Sequence, residues 1–98
     1  LKDILDTKAT TAVYTATLTT TWDGTSAPYT QDITVVGITD ADTPIISPVY
    51  STENATAILE KAAWNLISKA ITSTNTITFT CFEEKPVTAI PIQIRVVR

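Results

Sequence analysis

The chain has 98 residues, 44% apolar and 17% charged, with a formal net charge of −3. A chain of that length forms one domain with a modest core, hiding about two-thirds of the surface its unfolded form exposes, and the composition is too apolar for a disordered tail. Seven scattered basic residues and no histidine exclude a phosphate-binding stripe, a Ser-His-Asp or Cys-His catalytic group and an imidazole metal centre, and the absence of any run of eighteen apolar residues excludes a membrane-spanning helix.

In chain order, "LKDILDTKAT" sets Leu1, Ile4 and Leu5 at helical spacing with charges between them. Ten residues are too few for an isolated helix in water, so residues 1–10 read either as the last turns of an upstream coiled stalk or as a linker, and 11–98 as a single β-rich domain. The start at Leu1 and the absence of methionine predict a piece of something longer. From Val13 the pattern alternates: Tyr14, Ala16, Leu18 and Trp22 on one side, Val13, Thr15, Thr17 and Thr19 on the other, the two-residue period of a strand. Threonine is branched at Cβ, which favours extended backbone while its hydroxyl stays available to water. Asp23, Gly24 and Pro28 mark a turn, and "YTQDITVVG" resumes the alternation with Gln31, Ile33 and Val35 together. These two segments are expected to form a hairpin with a longer loop. Gly37 is placed to end or bulge the second strand, and "IISPVY" predicts a short third strand that Pro48 assigns to an edge.

The next segment reads as a helix. Ser51 or Thr52 is the expected N-cap, Glu53 suits the positive end of the helix dipole, and Ala55, Ile58, Leu59, Ala62, Ala63, Leu66 and Ile67 recur at three and four. That stripe predicts a helix lying across a sheet, with Trp64 at its margin and Glu60 and Lys61 pointing away. "SKAITSTNTITFTCFEE" then predicts a second hairpin turning near Ser73 to Asn75, with Ile77, Phe79 and Cys81 on one face. In "AIPIQIRVV" Ile90, Ile92, Ile94 and Val96 align, and Pro91 is expected on an unpaired side or at a bulge. The fold class is therefore α+β: mainly antiparallel β, about six strands in a small sandwich, with one amphipathic helix between the third and fourth strands.

Little in the chain carries chemistry. Cys81 alternates with Ile77 and Phe79 and reads as a small core residue; as the sole cysteine it permits no intrachain disulfide. The acidic pairs Asp40 with Asp42 and Glu83 with Glu84 fall in turns, where aspartate bonds its own backbone. Two isolated glycines make no phosphate loop. No catalytic residue, metal site or cofactor is expected. Trp22, Asp23 and Tyr29 leave two alternatives open: aromatic rings beside a polar turn that stack on a sugar while the carboxylate accepts its hydroxyls, or rings that plug the end of the core with one edge wet.

"YTATLTTTWDGTSAPYTQDITVVGI", followed by "DTPIISPVYS", a helix and "ITFTCFEEKPVTAIPIQIRVV", resembles a C-terminal domain of fibre and appendage proteins of phages and prophages of Gram-positive bacteria, over almost the whole span from Val13 to Val97. The resemblance implies a virion component, acting outside the cell as the distal part of a homotrimeric fibre on a head or tail; the loop around Trp22 and Tyr29 is where contact with a bacterial surface glycan is expected, and the alternative is a trimerisation or capping domain with no ligand. It implies no reaction and carries over no ligand residue. Nucleic acid and membrane insertion are not among the expected partners.

Overall fold

The computed structural model describes residues 11–97; the reading of residues 1–10 as stalk or linker lies outside them. Six strands form two three-stranded antiparallel sheets around one core. The first contains β1 (Thr11–Leu18), β3 (Ile45–Pro48) and β6 (Ile90–Val97), in the order β1-β6-β3; the second contains β2 (Tyr29–Thr34), β4 (Lys69–Ser73) and β5 (Thr76–Cys81), in the order β2-β5-β4. Among the described residues one helix, α1 (Asn54–Trp64), joins β3 to β4.

The expected alternation accounts for both inner faces. Ile90, Ile92, Ile94 and Val96 of β6 are buried against Ile77, Phe79 and Cys81 of β5, with Leu18 closing the β1 side. Central strands are covered on both flanks, so their inward positions are the driest and carry branched apolar residues. Pro91 lies within the central strand and not on a sheet edge. Its carbonyl accepts the Val49 amide at 2.8 Å, just past the last residue of β3, so the N–H that proline lacks is missing only from the ladder's end.

The first expected hairpin does not form. β1 pairs with β6 from Thr11↔Val97 to Leu18↔Ile90, and β2 pairs with β5 from Tyr29↔Cys81 to Thr34↔Thr76; the chain between them crosses from one sheet to the other. Alternation and turn residues state that two strands flank a loop, and they are the same whether the strands pair or face each other. The second hairpin is formed by β4 and β5, with Asn75 at φ 57° in its turn. Asn75 also knits that turn to the end of β2: its amide donates to the Ile38 carbonyl, its carbonyl accepts from Val35, and its Oδ1 accepts from Gly37, each at 2.9 Å. Gly37, at φ +104°, could hold no Cβ without approaching the Tyr14 hydroxyl to 2.9 Å, which fixes glycine there.

The helix is shorter and rotated relative to expectation. It starts at Asn54, with Glu53 as an N-cap that makes no side-chain cap bond, and it stops at Trp64 rather than running to Ile67. Ala63 and Glu60 are buried and Thr56, Ala57 and Trp64 half-buried, whereas Ile58 and Leu59 are 59% and 58% exposed. Glu60, expected to point away, is only 3% exposed; its carboxylate accepts the Ser51 amide at 2.8 Å and the Ser51 hydroxyl at 3.1 Å. Charge-assisted bonds of this kind offset the desolvation of a carboxylate. Periodicity reports that an apolar stripe exists; the short connections out of β3 and into β4 decide which side meets the sheet. The side that docks carries Ala57, Glu60, Ala63 and Trp64, and the large aliphatic side chains of Ile58 and Leu59 stay in solvent.

Candidate functional site

The segment linking the two sheets carries the sequence's one candidate site, and its shape is set by Gln31. That side chain is buried in β2 and engages main-chain groups that no strand pairs. Gln31 Oε1 accepts the Thr19 amide at 2.8 Å and the Thr19 hydroxyl at 3.3 Å, while Gln31 Nε2 donates to the carbonyls of Thr19 at 3.1 Å and Thr21 at 2.9 Å. An amide has one acceptor and two donors, and here all are used. The side chain thus does for 19–21 what a neighbouring strand would do. Beyond it, Asp23 and Thr30 exchange backbone bonds of 2.8 and 3.1 Å as an isolated bridge, and Gly24 turns the chain at φ +119°, with a Cβ there lying 3.2 Å from the Pro28 and Ser26 carbonyls.

This arrangement separates the three candidate residues. Trp22 is 7% exposed and belongs to the core, which is the position the plug alternative describes. Its Nε1 is buried and has no hydrogen-bond partner among the described residues. Asp23 is exposed, held through its backbone and with its carboxylate directed by no bond among the described residues. Tyr29 is half-buried opposite Cys81, and Lys85 Nζ lies 5.4 Å from its ring centroid, a cation–π contact that covers part of the ring. Asp23 and Tyr29 therefore share one end of the sandwich with the 82–89 loop, while Trp22 points beneath them. The parity of Trp22 with Leu18 was the sequence signal for its burial. Nothing in the pattern pointed to Gln31 as the organising residue, because an amide at an inward strand position looks like a surface residue out of register.

Both acidic pairs lie in loops, outside the strands and the helix. Asp42 Oδ2 accepts the Thr39 amide at 2.9 Å and the Asp42 amide donates to the Thr39 carbonyl at 3.2 Å, a closed turn of the expected kind. Glu83 and Glu84 are exposed beside the end of the helix. Among the described residues no three His, Cys, Asp or Glu side chains come together to hold a metal ion, and no helix is long and apolar enough to cross a membrane.

Cys81 is fully buried, and desolvation pushes its thiol above the ordinary value. The unfolded chain releases that proton in the ordinary thiol range while the folded chain keeps it. Stability contributed by the protonated thiol is therefore whole below about pH 8.5 and falls as pH rises toward the folded value. A thiol-specific chromogenic reagent at neutral pH should react no faster than the chain opens, with full reaction on adding denaturant; rapid stoichiometric labelling of the native protein would contradict the burial.

These features define a small α+β sandwich whose single loop site is built chiefly from main-chain bonds. No family model, characterised protein or solved structure matches the chain.

Proposed function

We propose that the chain is a non-enzymatic structural module, the distal domain of a phage head or tail fibre, working as a homotrimer in the virion. The observation that carries the assembly part is the outward side of the helix. Ala55, Ile58, Leu59 and Ala62 form a continuous apolar stripe in solvent, and contiguous exposed apolar surface marks a contact with another macromolecule more often than it marks idle surface. The source of the virion assignment is the resemblance carried by the strand segments from Val13 to Val97. Two readings of the end loops follow. In one the domain only joins or caps a fibre, and the inward position of Trp22 favours this. In the other the exposed Asp23 and Tyr29 also touch a cell-surface glycan.

Sedimentation of the purified chain tests assembly. A mass of three copies or a multiple of three is expected, and the Ile58→Glu, Leu59→Glu double variant should lose every multiple of three at unchanged melting temperature; a single copy at high concentration removes the proposal. Binding to Gram-positive cell walls separates the two readings of the loops. Adhesion predicts wall binding that is lost in the Asp23→Ala, Tyr29→Ala variant while the melting temperature and the assembled mass are kept.

A further inference from the structure

Four strands have an outer edge in this fold: β1 and β3 in one sheet, β2 and β4 in the other. An unpaired edge is a row of backbone donors and acceptors open to another chain, and native sheets blunt it with short length, proline, charge or cover. Three of the four edges here are blunted. β3 has four residues and ends on Pro48; β4 begins on exposed Lys69; β2 carries exposed Asp32 and is covered at its start by the Asp23–Thr30 bridge. Among the described residues β1 has none of these devices. It runs for eight residues without charge, proline or bulge, in unbroken register with β6.

A second observation comes from the inner side of the same strand. Ala12, Tyr14 and Ala16 are only half-buried, although their partners on β6, Val96, Ile94 and Ile92, are fully buried. The core thus thins out at β1, and a further strand beside it would continue the inner face as well as satisfy the edge.

We infer that β1 is a strand-addition site whose occupant is β1 of a second copy, paired antiparallel across a two-fold axis. The self-match is what selects this occupant. Both strands bring eight uncharged residues, threonine and valine meet threonine and valine on the outer side, and small residues with tyrosine meet their like on the inner side, so no like charges face each other and no charge is buried. Direct strand pairing also supplies the main-chain partners that an apolar or charged ligand would leave unmade. The inference does not rest on the fibre reading. A two-fold contact lies outside a three-copy contact made through the helix, and it would join a chain of one assembly to a chain of the next.

Cysteine placement on the outer side of β1 tests it, since buried Cys81 does not compete for oxidant. Val13→Cys, Thr15→Cys and Thr17→Cys are made one at a time and also mixed in pairs, under mild oxidation. Antiparallel two-fold pairing brings opposite residues within disulfide reach at one register only. The expected result is a set of links that obeys one register: Thr15→Cys with itself together with the Val13→Cys and Thr17→Cys mixed pair, or, at a neighbouring register, one self-linking position or one mixed pair alone. Thr15→Lys with Thr17→Lys puts charges on both strands at exposed positions and should weaken the two-fold association about tenfold or more without altering the circular dichroism spectrum. Linking at all three positions would indicate parallel strands, and linking at none would indicate no pairing; each overturns the inference. A mass that is the same in wild type and the lysine variant, with no β1 links, also overturns it, and if that mass is three copies it leaves the fibre reading standing.

Discussion

Trp22→Ala is expected to destabilise the domain by about 3–5 kcal/mol, the range for emptying a large aromatic site in a core. In a chain this size each kcal/mol moves the melting temperature by about 4–8 °C, so thermal unfolding followed by circular dichroism should show a loss of roughly 15 °C or more. The size follows from position: Trp22 is the bulkiest side chain in a core shared by two small sheets, and its neighbours are held by the Gln31 bonds and cannot collapse freely into the space. Trp22→Phe should cost far less, because phenylalanine keeps most of the buried area and removes the indole N–H that finds no partner among the described residues. If alanine at position 22 left the melting temperature unchanged, the ring could not be a core plug, and its role as a sugar platform would reopen.

The second large effect is expected at Gln31. Gln31→Leu has similar volume but leaves the Thr19 amide and the carbonyls of Thr19 and Thr21 without their partner, at about 2–3 kcal/mol after partial rescue by water. The informative companion is Gln31→Glu. Its carboxylate still accepts from Thr19 but meets two carbonyls that require a donor, so it should be worse than leucine at neutral pH. Those carbonyls and the burial raise the carboxyl's folded-state value above its unfolded one, which means the folded state binds the proton more tightly and stability rises as pH falls. Denaturant titrations at pH 7 and pH 4 should show the Glu variant regaining part of its loss at the lower pH relative to wild type. A Glu variant as stable as wild type at pH 7 would contradict the four-bond arrangement.

The strands were legible because their information is local. Alternation placed Ile77, Phe79 and Cys81 on one face and Ile90 to Val96 on another, and both faces are buried. Sheet membership was not legible: pairing of Thr11 with Val97 joins residues at opposite ends of the chain, and nothing near either of them encodes it. The helix shows the same division. Its existence followed from spacing, but Glu60, read as pointing away, is buried where Ser51, read as an N-cap, donates to it, a contact that the repeat does not encode. At the candidate site, exposure of Asp23 and the turn at Gly24 matched ordinary turn chemistry, while the Gln31 clamp required knowing that 19–21 has no neighbouring strand.

The strand order also sets when the domain can form during synthesis. Of the described strands β6 is made last, yet it lies between β1 and β3, so neither of those earlier strands has a ladder until residues 90–97 leave the ribosome. β2, β4 and β5 can associate before that, but the apolar inner face of β5 would then wait uncovered. Contacts of such long sequence separation slow folding and prolong exposure of aggregation-prone surface. Nascent chains stalled before residues 90–97 emerge should accumulate as half-built species that chaperones hold, which makes β6 the step that commits the domain.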